Sequence, residues 1–94
     1  MPGDTDPVIQ QFRDKISDND RALVEAVNAR LRLVAQLKAY KESQGIDFVD
    51  PEREEWILRD LGRANRGPLS GEGLRTFYEE LFALTKREVS NSDK

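Results

Sequence analysis

A long stretch without glycine near the start of the chain constrains the fold most. Between Asp4 and Lys41 there is no glycine, and the only proline, Pro7, suits the first turn of a helix. Apolar side chains recur there at separations of three, four and seven residues, the spacing of one helix face, and no segment alternates as a strand does. The pattern predicts one helix of about 35 residues. Its apolar positions are Ile9, Phe12, Ile16, Leu23, Val24, Val27, Leu31, Val34 and Leu37.

Two shorter helices are predicted after the long one. The first helix should end near Gly45, which suits the left-handed position that follows many helices. Asp50 and Pro51 then form a start signal for a helix of about a dozen residues that ends near Gly62. Ser70 suits the cap of a third helix, whose apolar residues are Leu74, Phe77, Leu81, Phe82 and Leu84.

These elements predict an all-α fold in a single domain over residues 1–94, with flexible ends at 1–6 and 90–94. At about 1.5 Å per residue, the long helix extends on the order of 50 Å, whereas a compact chain of this size is roughly 30 Å across. Two shorter helices leave part of its apolar face exposed. We therefore expect a second copy of the long helix to cover that face in an intertwined homodimer.

The chain has no cysteine and no histidine. A thiolate nucleophile, an imidazole base, a Ser-His-Asp triad and a Cys/His zinc site are therefore excluded. No disulfide can form, the first residues lack the features of a signal peptide, and no apolar run approaches the roughly 18 residues of a membrane span. We expect a soluble, cytoplasmic protein that does not associate with membranes.

Charge is unevenly distributed along the chain. The formal net charge is -3, yet residues 21–41 carry five basic residues and one acidic residue. Nucleic-acid binding favours broad basic faces, so an acidic chain of this kind predicts no nucleic-acid partner. A short basic segment is better suited to a small anion.

Three cations of the long helix are candidate anion ligands. Arg30 lies within the apolar stripe, and Lys41 follows it by about three turns, so both stand on nearly the same face some 16 Å apart. Arg13 is about 25 Å from Arg30 along a straight helix and rotated by about 100°, so the two could grip one small ligand only across a dimer. The alternative is that all three are solvated surface charges.

The start of the second helix holds a further anomaly. Arg53 faces the positive end of the helix dipole, which costs a few tenths of a kcal/mol unless a bound anion or nearby carboxylates compensate. Asp50 is explained by capping alone. Trp56 is expected in the core rather than as a stacking platform, and Thr85 could bond back to a carbonyl one turn earlier.

Four segments together, at these separations, resemble the all-α (type II) class of chorismate mutases. The resemblance covers about residues 8–88 and implies a monofunctional mutase whose three-helix protomers interlock in a homodimer with two identical sites. The segments are Phe12-Arg13-Asp14-Lys15-Ile16-Ser17, Asn28-Ala29-Arg30, Lys41 and Asp50-Pro51-Glu52-Arg53-Glu54.

The resemblance implies roles for three cations. Arg30 would clamp one substrate carboxylate within its own chain, and Arg13 would reach the other carboxylate from the partner chain. Lys41 would donate to the ether oxygen of the breaking bond. The remaining implied substrate-binding positions are Asp50 and Glu54 at the ring hydroxyl, Arg53 beside them, and Thr85 at a Ser/Thr position of the last helix.

The chain departs from the family four residues beyond Thr85. The family usually has Gln or Glu there as a second donor to the ether oxygen, whereas this chain has Val89, with Glu88 one residue earlier and about 100° away. Either the third helix shifts its register so that Glu88 reaches the site, or Lys41 works without this partner. A glutamate donates only when protonated, so activity that rests on Glu88 should fall with rising pH unless burial raises its pKa.

The implied activity is the isomerisation of chorismate to prephenate in phenylalanine and tyrosine biosynthesis. This pericyclic rearrangement needs no nucleophile, metal or cofactor, but it does need fixed charges and shape. One alternative is an isochorismate pyruvate lyase on the same scaffold. Another is a non-catalytic helical module that is regulatory or binds another protein, such as an upstream shikimate-pathway enzyme.

Overall fold

Three α-helices make up the structure, a computed structural model that describes residues 6–92. They are α1 (Pro7–Ser43), α2 (Pro51–Ala64) and α3 (Gly71–Ser92), and no strand occurs between residues 6 and 92. The predicted all-α fold, with one very long helix followed by two shorter ones, is confirmed.

The chain divides into two units, an N-terminal unit (Met1–Arg32) and a C-terminal unit (Leu33–Lys94). The N-terminal unit contains the greater part of α1. The C-terminal unit contains the end of α1 together with α2 and α3. The single domain over residues 1–94 stays a prediction.

In the N-terminal unit, α1 is exposed to solvent from its first residue to Ala26. The Asp6 carboxylate accepts a hydrogen bond from the Val8 amide at 2.8 Å, which satisfies one of the free donors of the first turn. Every residue from 6 to 26 is exposed within the chain. The exposed residues include six large apolar ones, namely Val8, Ile9, Phe12, Ile16, Leu23 and Val24.

The end of α1 and the start of α2 follow the predicted signals. Gly45 has a φ of 67°, and the Ile46 amide donates to the Lys41 carbonyl at 2.8 Å, as in a left-handed helix cap. Asp50 caps α2 through its side chain, which accepts from the Arg53 amide at 3.1 Å.

Helix α2 ends two residues later than predicted. Gly62 lies inside the helix, where glycine costs about 1 kcal/mol relative to alanine but does not force a stop. The stop comes at Asn65, which leaves the helical conformation while its amide still donates to the Leu61 carbonyl at 2.8 Å.

The core of the C-terminal unit lies between α2 and α3. One face of α3 and Leu58 of α2 supply its buried side chains, whereas Phe77, predicted among the apolar residues of α3, is 45% exposed. Ser70 caps α3 as predicted, accepting from the Gly73 amide at 2.9 Å. The buried residues of α3 are Leu74, Leu81, Phe82, Thr85 and Val89.

The end of α3 differs from the sequence prediction. The helix continues to Ser92, so residues 90–92 of the predicted flexible end are helical. Residues 1–5 and 93–94, which belong to the two predicted flexible ends, lie outside the described residues. No helix among the described residues has the length and apolarity required to cross a membrane.

Candidate active site

The first turn of α2 organises the candidate site in the C-terminal unit. The Asp50 carboxylate holds the Arg53 amide at 3.1 Å, and the Glu54 amide donates to the Asp50 carbonyl at 3.2 Å. The same cap that starts the helix therefore fixes the backbone of three predicted site residues. Pro51 reinforces this start, because its fixed φ suits the first helical position.

Arg53 stacks on Trp56, with its guanidinium carbon 4.3 Å from the ring centroid. Such a contact at an exposed site stabilises by about 0.5–1 kcal/mol, which offsets the few tenths of a kcal/mol that the helix dipole costs. The expectation that Trp56 is a core residue is wrong, because its side chain is 45% exposed and serves as a stacking platform. Arg53 and Trp56 are three residues apart, a spacing that makes two side chains neighbours on a helix. This spacing in the sequence could have indicated the contact.

Glu54 forms an ion pair with Lys86 of α3. The Lys86 Nζ lies 3.0 Å from the Glu54 Oε2, and the Glu54 side chain is 30% exposed. Lys86 is not among the residues predicted from sequence. No local signal could have identified it, because the contact depends on how α2 packs against α3.

Lys41 is half-buried near the end of α1. Its Nζ donates to the Phe48 carbonyl at 3.4 Å, two residues before Asp50. The ammonium group is therefore turned towards the segment that leads into α2. Lys38, one turn earlier, instead pairs with Glu42 at 3.0 Å.

Three neighbouring residues near the end of α3 have different environments. Thr85 is buried and donates through its hydroxyl to the Leu81 carbonyl at 2.7 Å, the back-bond considered from sequence. Val89, one turn further on, is 2% exposed, whereas Glu88 is on the exposed side. Helix α3 is regular from Gly71 to Ser92, and Glu88 lies on its exposed side.

Arg13 and Arg30 belong to the N-terminal unit. Arg13 is exposed and Arg30 is half-buried. A depression on this unit is formed by the surface of α1 alone, so the helix by itself does not enclose a ligand there. Its lining residues are Phe12, Lys15, Ile16, Asp18, Asn19 and Ala22.

In the C-terminal unit, by contrast, hydrogen bonds link Asp50, Arg53 and Glu54. The hydrogen bond from Lys41 to the Phe48 carbonyl directs that lysine to the segment before them.

The sequence pattern of a known family, described as chorismate mutase type II, matches residues 12–89. This chain belongs to the chorismate mutase type II family. The match includes every predicted site residue, from Arg13 to Glu88, and confirms the resemblance seen in the sequence.

One solved structure and two curated proteins similar to this chain support its assignment to this family. The structure of chorismate mutase (form II) from Thermus thermophilus superimposes with a TM-score of 0.83 and 28% identity, covering 87% of this chain and 93% of that one. A bifunctional chorismate mutase/prephenate dehydratase from Pseudomonas aeruginosa is 30% identical over 80 residues, which is 80% of this chain. Its counterpart from Stutzerimonas stutzeri is 26% identical over 80 residues. The chain spans about a fifth, 22%, of the length of these two curated relatives.

In this chorismate mutase type II chain, Arg75 of α3 lies beside the carboxylates of Glu55 and Glu79. Arg75 of α3 has a pKa raised above its ordinary value, first by its hydrogen bond to the Glu55 carboxylate and then by the charges of Glu55 and Glu79. This arginine therefore stays charged. In the part of the chain that the structure describes, no three carboxylate, histidine or cysteine side chains come together as metal ligands.

Proposed function

We propose that this chain catalyses the rearrangement of chorismate to prephenate. The observation that carries the proposal is the family match over residues 12–89, which spans all the candidate site residues. Further support comes from the first turn of α2, where one capped segment brings two carboxylates and an arginine together. The catalytic work would consist of holding a dicarboxylate in its reactive conformation and stabilising charge at its ether oxygen.

Arginine and lysine have separate roles in this proposal. Arg30, with Arg13 of the partner subunit, would pair with the two substrate carboxylates, because the planar guanidinium forms two parallel hydrogen bonds to a carboxylate. Lys41 would donate to the ether oxygen, where negative charge develops as the bond breaks. Its half-buried position favours this role, because a charge acts more strongly where water is partly excluded.

The ring hydroxyl of the substrate would meet the carboxylates of the α2 turn. Asp50 uses Oδ1 for the helix cap and Glu54 uses Oε2 for Lys86, and a carboxylate has a second oxygen that can accept from a hydroxyl. Arg53 would stand beside them, held by Trp56. Thr85 would contribute to the wall of the site.

We further propose that Lys41 works without a second donor from α3. The proposal is supported by the burial of Val89, which is 2% exposed, and by the exposed position of Glu88 on a regular helix. An apolar side chain at this position can shape the pocket but cannot donate to the ether oxygen. The sequence left two alternatives, a shifted register of α3 that brings Glu88 to the site, or Lys41 without this partner. The exposed position of Glu88 favours the second.

A homodimer with shared sites is the assembly that we propose. Support comes from the N-terminal unit, where six large apolar side chains between Val8 and Val24 are exposed within one chain. Such a surface on a single helix is expected to bind another surface, and a second copy of the same helix matches it in length and spacing. Arg13 on this helix would then reach the partner's site.

Two further predictions from the sequence concern the surroundings of the protein. They are binding to an upstream shikimate-pathway enzyme and a cytoplasmic location.

The direct experiment is to follow the loss of chorismate absorbance with purified protein. We expect consumption by the wild type and, in Arg30→Ala, the loss of both substrate binding and rate. Isochorismate is assayed in parallel, because selective consumption of isochorismate would assign the chain to the lyase instead. Consumption of neither substrate would favour the non-catalytic module.

A further inference from the structure

The ion pair between Glu54 and Lys86 joins a predicted site residue to a lysine that has no assigned role. The two charged atoms are 3.0 Å apart, and the Glu54 and Lys86 side chains are 30% and 44% exposed. Lys86 directly follows Thr85 on α3, so its side chain starts beside another predicted site residue. We propose that Lys86 is a positioning residue that orients the Glu54 carboxylate and neutralises its charge.

Neutralising the charge of Glu54 matters because the proposed substrate is itself negatively charged. This inference rests on the proposed function, in which the ligand is a dicarboxylate that approaches Asp50 and Glu54 in the same turn. Two uncompensated carboxylates would repel such a ligand. Lys86 offsets the charge of Glu54 through Oε2 and leaves Oε1 to accept from the substrate hydroxyl.

Lys86 also restricts the orientation of the Glu54 carboxylate. A glutamate side chain has three rotatable bonds, and an ion pair across two packed helices restricts it to fewer conformations. Because Lys86 is on α3 and Glu54 is on α2, the carboxylate is fixed relative to both helices. A hydroxyl ligand then meets an acceptor that is already in place.

A second ion pair between the same helices provides a matched control. Arg75 of α3 lies 3.4 Å from Glu55 of α2, and the two side chains are 51% and 55% exposed. Neither residue is among the predicted site residues. Removing this pair tests what the loss of an α2–α3 ion pair does to the fold without touching Glu54.

The experiment compares Lys86→Met, Lys86→Arg and Arg75→Met with the wild type in chorismate turnover and thermal unfolding. We expect Lys86→Met to raise KM by about threefold to fivefold, the effect of losing a half-exposed ion pair, with kcat within about twofold. Lys86→Arg should restore KM, since it keeps the charge. Arg75→Met should lower the unfolding temperature as much as Lys86→Met does and leave KM unchanged.

A double-mutant cycle tests whether Lys86 acts through Glu54. In the Glu54→Gln background, Lys86→Met should have no further effect on KM. If Lys86→Met changes KM no more than Arg75→Met does, or if it has its full effect without the Glu54 charge, the inference is overturned while the proposed function stands. A wild-type chain that does not convert chorismate overturns the proposed function, and this inference with it.

Discussion

Lys41 is the residue on which the proposed chemistry depends most. Its position eleven residues after Arg30 identified it in the sequence, and the structure adds that its ammonium group donates to the Phe48 carbonyl near the α2 turn. That direction could not be predicted from the sequence, because it depends on the path of the chain between α1 and α2.

Replacing Lys41 with alanine removes the cation proposed to stabilise the ether oxygen. We expect kcat to fall by roughly 100-fold to 1000-fold, the range for loss of one preorganised donor to a developing negative charge, with a smaller change in KM. Lys38→Ala is the matched control, since Lys38 is also half-buried on α1 but pairs with Glu42. Steady-state kinetics of both variants provide the measurement, and equal effects would contradict the role of Lys41.

Glu88 and Val89 give a second prediction at the residue scale. Because Glu88 is exposed and Val89 is buried, we expect Glu88→Gln to leave the rate unchanged at every pH from about 5 to 9. If Glu88 were the second donor, it would donate only when protonated. The wild-type rate would then fall with rising pH, and the glutamine variant would lose that fall.

At the scale of the helices, local signals in the sequence were sufficient for most boundaries. Gly45, Asp50 and Ser70 each have the capping role that their residue type predicts. Contacts between helices were not predictable in the same way. The Glu54–Lys86 pair and the burial of Val89 depend on the rotation of α3 against α2, which apolar spacing fixes only approximately.

Asp50 has a structural and a proposed functional role, and two substitutions separate them. Asp50→Ala removes the cap of α2 and should destabilise the fold by about 1 kcal/mol. Asp50→Asn keeps the cap, because asparagine caps about as well as aspartate, and should leave the unfolding temperature nearly unchanged. We expect both variants to raise KM if the carboxylate accepts from the ring hydroxyl. If Asp50→Asn has the same KM as the wild type, Asp50 acts only as a helix cap.

At the scale of the whole molecule, the proposed site includes Arg13 from a second chain. The exposure of residues 6–26 agrees with the expectation from length that one chain cannot cover its long helix. Arg13 lies on that exposed segment, which is why we propose that it acts in the site of a partner. The fold class was predictable because helical periodicity is a property of one chain, whereas a shared site depends on how two chains meet.

Complementation between two inactive variants tests the shared site most directly. Arg13→Ala and Lys41→Ala chains are each expected to be nearly inactive alone. Refolded together in equal amounts, half of the dimers contain one chain of each kind, and each such dimer has one intact site. A site shared between two chains predicts recovery of about a quarter of the wild-type turnover of chorismate. Activity no greater than the average of the two variants measured separately would contradict a site built from two chains.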